Sequence, residues 1–170
     1  LDGGLPEGAA TVMRVEGFAP SVDYRLGKLI EAFSPMGECH RLNAQSTQVL
    51  WQEIRDVKPF SDDTERVVWR VSVAPGDGHK LVASLRLHAG IDAYYDWQGG
   101  LVWLRMEADG EADLVRASIR ALGSGHATMI RASGSMRNEY PVFEPQEAPL
   151  AALTRRLKQQ FDPEFILNPG

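Results

Sequence analysis

The run from Arg66 to Val73 constrains the fold of this chain more than any other stretch. Val67, Trp69, Val71 and Val73 alternate with Val68, Arg70 and Ser72. A strand has period two, so the two sets point to opposite faces of a sheet. One face is expected to be buried while the other carries Arg70. The following segments set the topology. Pro75-Gly76-Asp77-Gly78 is a turn signal, and Lys80 to His88 reads as a helix. Ala93 to Trp97 and Leu101 to Met106 are strand-like runs joined by Gln98-Gly99-Gly100. That is a hairpin signal, because glycine supplies the positive φ that tight turns need. Ala112 to Leu122 places Leu114, Val115, Ser118, Ile119 and Leu122 on one helical stripe, Gly123-Ser124-Gly125 closes it, and His126 to Arg131 reads as a last strand. The order strand-helix-strand-strand-helix-strand is the split βαβ, ferredoxin-like arrangement. It predicts an α+β fold: an antiparallel sheet with helices mainly on one face, and the strands from Arg66 and Leu101 as central neighbours.

The flanks are read the same way. Thr11 to Phe18, with Met13 and Val15 between polar neighbours, is expected to be a strand. Ser21 to Phe33 is expected to be a helix with Val22, Leu26, Leu29, Ile30 and Phe33 on one face, and Pro20 is harmless at its start. Glu38 to Leu42 reads as a short strand and Ala44 to Val57 as a helix stopped by Pro59. This leading strand-helix-strand is expected to extend the same sheet, so residues 1–170 are read as a single domain. Leu150 to Phe161 is a final helix with Leu153, Leu157 and Phe161 spaced by four.

Composition narrows the function classes. The 170 residues are 44% hydrophobic and 24% charged, which is ordinary for a globular domain with a real core. A net charge of −5 argues against a nucleic-acid partner, which favours a basic balance. Cys39 is alone, so no internal disulfide forms, and a reducing, cytoplasmic setting is the simple expectation. No apolar run approaches a membrane span. Leu1 is not a start Met and the first residues are Gly-rich, so no signal peptide is read there and a boundary within a longer protein is expected. His40, His79, His88 and His126 have no ligand-like spacing, and no metal is expected. No G-x-S-x-G, P-loop or dinucleotide fingerprint occurs.

The candidate site residues come from strand parity. If Val67, Trp69, Val71 and Val73 face the helices, Arg70 faces away. If Val102, Leu104 and Met106 do, Trp103 and Arg105 face away with it, and Arg14 is expected further along the same face, opposite Met13 and Val15. Apolar area around Trp103 and Leu101 is expected to be exposed there. A guanidinium fork suits a small carboxylate because it binds both oxygens. The bland alternative is a solvated face whose arginines pair with Glu16 or Glu107. His126 opens its strand beside glycines, where an imidazole is able to donate to a carboxylate or take a proton. The alternative is a surface histidine after a helix cap.

Several blocks, in order, carry a family resemblance: Val49-Leu50-Trp51-Gln52-Glu53-Ile54-Arg55; Val68-Trp69-Arg70-Val71-Ser72-Val73-Ala74-Pro75; Asp96-Trp97-Gln98-Gly99-Gly100-Leu101-Val102-Trp103-Leu104; Gly125-His126-Ala127-Thr128; Phe143-Glu144-Pro145; and the ending Phe161-Asp162-Pro163 with Ile166-Leu167-Asn168-Pro169-Gly170. Together they resemble the FAD-linked oxidases of the vanillyl-alcohol oxidase type, in particular their bacterial glycolate oxidase members. The resemblance implies a C-terminal cap domain whose sheet faces the active site of an FAD-dependent 2-hydroxy-acid oxidoreductase. It implies FAD in the intact subunit and none bound to this chain, since the N-terminal FAD-binding domain is absent from it. Implied partners are that domain, a homologous catalytic flavoprotein subunit and an iron-sulfur subunit. The implied location is cytoplasmic, or at a membrane through the complex. His126, Arg70, Arg105 and Trp103 become candidates to face substrate or flavin, and Asn168 a candidate for a cofactor contact through the tail; no catalytic residue is assigned. The competing reading is a ferredoxin-like ligand-binding or subunit-interaction module with no catalytic role.

Overall fold

The computed structural model describes residues 8–107 and 109–167. The chain divides into two compact units, Leu1–Asp63 and Thr64–Gly170. The first holds two helices, α1 (Ala19–Phe33) and α2 (Ala44–Arg55), and a short 3-10 turn at Lys58–Phe60. Pro20 sits in the first turn of α1, where its missing N–H costs nothing. Asn43 caps α2 by accepting the Ser46 N–H at 2.8 Å. The helix ends before Pro59, with Val57 in the left-handed region at φ 55°.

Two expected strands are absent from this unit. Residues 11–16 and 38–42 adopt no regular structure, and the leading segment does not extend the sheet. Each run offers too few alternating apolar residues to form a strand face. Their charged side chains find other partners: Arg14 pairs with Glu16, and Arg41 pairs with Asp23 on α1.

The second unit carries β1 (Val68–Ser72), α3 (Gly78–Arg86), β2 (Ile91–Asp96), β3 (Leu101–Met106), α4 (Ala112–Ala121), β4 (His126–Arg131), α5 (Gly134–Glu139) and α6 (Ala148–Phe161). The sheet is antiparallel throughout, in the order β2-β3-β1-β4. This is the α+β, split βαβ topology expected from the sequence, with β1 and β3 at the centre. Val67, Trp69, Val71 and Val73 join Val102, Leu104, Met106, Ala127 and Met129 in one core against Leu81, Val82, Leu85, Ala112, Val115 and Ile119 of α3 and α4. Burial of such side chains is worth about 1.5–3 kcal/mol each before chain entropy is counted.

The free edge of β4 is covered by the chain that follows α5. Val142 accepts the Met129 N–H at 2.9 Å, and the Glu144 carboxylate accepts the Ala127 N–H at 3.1 Å. Covering an edge removes a row of unpaired donors that would otherwise recruit another strand.

Candidate functional site

The sheet face opposite α3 and α4 is built as rows across the strands. Tyr94, Trp103, Arg70 and Thr128 stand in register across β2, β3, β1 and β4. Asp96, Leu101, Ser72 and His126 form the next row, at the end where β4 begins. Asp92 and Arg105 lie on the other side of the Tyr94 row. A bulge in the β1–β4 pairing at Val68/Trp69 shifts the register beyond that point. The sequence parity thus holds for Arg70, Trp103 and Arg105, and the sheet brings them and His126 to one face.

Their surroundings differ sharply. Arg105 is 17% exposed and bound to Asp92 through Nε at 3.0 Å and Nη2 at 2.6 Å. Arg66 approaches the same carboxylate at 3.7 Å. Arg105 is therefore engaged by its neighbour across the hairpin, Asp92, and not by the Glu107 that the bland reading named. Arg70 is half-buried and makes no ion pair with an acid among the described residues. Its guanidinium carbon lies 5.3 Å from the centre of the Trp97 ring. A guanidinium resting on an aromatic face keeps its N–H edge for a planar acceptor. Of the arginines read from parity, Arg70 is the one whose fork remains available.

The strand expected over Ala93 to Trp97 ends at Asp96, and Trp97 stands in the turn beyond it. It takes φ 50° and Gln98 takes φ 58°. Left-handed backbone at a bulky residue is an outlier and costs about 1–3 kcal/mol at each position. Asp96 Oδ1 accepts the Trp97 N–H at 2.7 Å, and the Trp97 carbonyl accepts the Gly100 N–H at 3.1 Å. Gly99 continues the turn at φ 94°, where a Cβ would fall 2.8 Å from the Pro75 carbonyl oxygen. The turn is thus wedged against the loop that follows β1, and the 59% exposed indole is held over Arg70. The readable signal was Asp96-Trp97-Gln98-Gly99-Gly100: a large aromatic in a turn that already offers two glycines.

The other residues of the face are aromatic or polar. Tyr94 stacks on Trp103 with ring centres 6.4 Å apart and planes 21° apart. Burial pushes the Tyr94 phenol well above its ordinary range, and the Asp96 carboxylate adds to the shift, so the phenol stays neutral. His126 is exposed at the mouth of the face, directly after Gly125. Gly125 has φ 126°, and a Cβ there would lie 2.7 Å from the Ser72 carbonyl oxygen. Only glycine lets the chain turn into β4 this close to β1.

Two expectations about this face are corrected. Arg14 is not on the sheet; it lies in the first unit, paired with Glu16 and 5.7 Å from the centre of the Trp51 ring. Leu101 is 4% exposed and Trp103 half-buried, so the apolar area expected there is largely covered. Leu101 belongs to the row of Asp96 and Ser72 and is not part of the core against α3 and α4. Exposed apolar area lies instead on α6, where Leu150, Leu153, Leu157 and Phe161 all face out. Asn168 lies outside the described residues.

The tail after α6 is organised by Asp162. Its carboxylate accepts the Ile166 and Leu167 N–H groups, each at 2.9 Å, and pairs with Lys158. The lysine, with those two N–H groups, holds this carboxyl below the usual carboxylate range. Among the described residues, no group of three or more His, Cys, Asp or Glu side chains gathers as a metal site, and no helix is long and apolar enough to cross a membrane.

Comparison with known proteins finds one relative. The chain is 32% identical to glycolate oxidase subunit GlcE of Escherichia coli (strain K12) over 127 residues, which take in 71% of this chain and 30% of that protein. Less than a third of the relative's length is spanned by the match. No protein-family model matches the chain, and no solved structure does.

Proposed function

We propose that the chain is the substrate-side domain of an FAD-dependent 2-hydroxy-acid oxidase of the glycolate oxidase type. The observation that carries this reading is Arg70: a half-buried arginine on a central strand, on the sheet face opposite α3 and α4, without an acidic partner among the described residues. A guanidinium in that state is suited to a small carboxylate such as that of glycolate. Ser72 and His126 lie one row away and offer a hydroxyl and an imidazole to the 2-hydroxyl group of the acid. Arg105, tied to Asp92, stiffens the far end of the face and does not bind substrate.

The described residues do not fit FAD itself. The Gly76-Asp77-Gly78 turn at the start of α3 is the nearest thing to a phosphate cradle, but a Cβ at Gly78 would collide with the Gly99 carbonyl. That space is filled, and by an oxygen that repels phosphate. The flavin belongs to another part of the oxidase, and this chain supplies substrate contacts. The exposed stripe of α6 suits docking to that flavin-binding part, in an assembly with the catalytic flavoprotein and iron-sulfur subunits.

Steady-state glycolate oxidation by the assembled oxidase carrying Arg70→Ala tests the reading. A fall of about tenfold or more in kcat/KM, partly restored by Arg70→Lys, is expected for loss of a charge-assisted contact. Unchanged kinetics would reject it and leave a docking module with no catalytic role.

A further inference from the structure

Trp97 is an exposed indole in a strained backbone, and neither fact is explained by packing. A turn closed by Gly99 and Gly100 has no need of a bulky residue at φ 50°. Strain of this kind persists where the surroundings over-determine it, and it marks sites where position matters. Here the surroundings are the Asp96 side chain, the Gly100 N–H and the wedge of Gly99 against Pro75. Their joint effect is to hold the ring over the Arg70 guanidinium, 5.3 Å from ring centre to Cζ.

We propose that Trp97 is a specificity-determining residue: a fixed wall beside Arg70 that admits a two-carbon 2-hydroxy acid and rejects one enantiomer of its longer homologues. The inference rests on the reading of Arg70 as the carboxylate contact. A carboxylate bound edge-on to the guanidinium lies in the guanidinium plane, which brings the α-carbon of the acid alongside the indole. In glycolate the α-carbon bears two hydrogens besides the hydroxyl. With the hydroxyl turned toward Ser72 and His126, a hydrogen meets the ring on either choice of face. In lactate one hydrogen is replaced by a methyl group. One enantiomer directs that methyl away from the indole; the other drives it into the ring. The backbone beneath the ring is held on both sides, by the Asp96 contact and by the wedge of Gly99 against Pro75, so the wall retreats only by turning its side chain off Arg70.

The test uses the 170-residue chain, with binding of glycolate, D-lactate and L-lactate followed by chemical-shift changes of the indole N–H and Arg70 Nε–H signals. Trp97→Gly removes the wall and, because glycine accepts the left-handed backbone, keeps the turn; Trp97→Phe keeps an aromatic wall. The native chain is expected to bind glycolate and one lactate enantiomer, and to bind the other enantiomer about tenfold more weakly, a typical effect of one misplaced methyl group. Trp97→Gly is expected to bring the two lactates within about twofold of each other, and Trp97→Phe to retain a preference. Glycolate binding that survives Arg70→Ala, or no binding by the native chain, overturns the carboxylate reading and this inference with it. Glycolate binding that needs Arg70, together with equal lactate affinities in the native chain or a preference that persists in Trp97→Gly, overturns the role of Trp97 alone.

Discussion

Arginine takes three different roles in the second unit, and its neighbours decide which. Arg105 meets Asp92 across the hairpin. Arg116 is 5% exposed on α4, where its guanidinium lies 5.6 Å from the centre of the Trp69 ring and donates to the Pro141 and Phe143 carbonyls. Arg70 has the Trp97 ring. Replacing Arg70 by Ala removes one cation–π contact and no ion pair, so stability is expected to fall by only about 0.5–1 kcal/mol; urea unfolding measures it, and a loss well above that would mean Arg70 is structural. Asp162 gives a pH-dependent counterpart. Its folded-state pKa is lowered, so its contribution is fully present above the unfolded value of about 3.9 and is lost as pH falls through the folded value. The protection of the Ile166 and Leu167 amides, taken relative to their intrinsic exchange rates at each pH, is therefore expected to fall as the pH drops below about 4. Asp162→Asn, which carries no titrating carboxyl, is expected to abolish that pH dependence; exchange that follows the same acid profile in Asp162→Asn would sever the tail from this carboxylate.

At the scale of elements, β4 shows what an edge strand requires. Residues 142–144 pair with it, and Arg116 holds the segment by the Pro141 and Phe143 carbonyls while its Nε stands 3.9 Å from Glu144 Oε2. Glu144→Ala is expected to leave the Ala127 N–H and the Arg116 charge short of a partner, at a cost of about 1–3 kcal/mol. Glu144→Gln, whose amide oxygen still accepts from Ala127, is expected to cost less; equal midpoints for the two variants in urea would show that the N–H contact contributes little. These contacts were not legible beforehand. α5 has Met136 as its one large apolar residue, too little for a helical period, and the covering segment is held by side chains from distant positions. The four strands and their facing were legible, because Val67 to Val73 and Leu101 to Met106 alternate over enough residues for period two to decide. Thr11 to Phe18 and Glu38 to Leu42 failed for the converse reason. Within the candidate site, parity found Arg70 but had no means to separate it from Arg105, since Asp92 becomes a partner only once β2 and β3 pair. It missed Trp97 because the strand expected over Ala93 to Trp97 puts that residue on the face of Ala93 and Tyr95, whereas β2 ends at Asp96 and Trp97 opens the turn.

At the scale of the whole chain, the core and the candidate site belong to the same unit. The chain purified alone, incubated with FAD and desalted, is expected to keep no flavin absorption, because the Gly76-Asp77-Gly78 turn at the start of α3 is closed by the Gly99 carbonyl; a stoichiometric flavin band would show a cofactor site within it. The unit that carries the site is also expected to be an autonomous folding domain. Every member of the sheet–helix core lies between Val67 and Val142, all four strands lie between Val68 and Arg131, and the β4 edge is closed from within the same stretch. Among the described residues, the first member of that core is Val67. A domain of about 100 residues buries enough of its surface to fold alone, and one of that size usually unfolds in a single step. A chain beginning at Thr64 is thus expected to retain its helix and strand signals. Its urea transition by Trp69 fluorescence is expected to coincide with that by circular dichroism, since this indole is fully buried and its Nε1 donates to the Gly110 carbonyl at 2.9 Å. Loss of Trp69 burial at lower urea than loss of secondary structure, or no cooperative transition at all, would mean that the first 63 residues complete the fold.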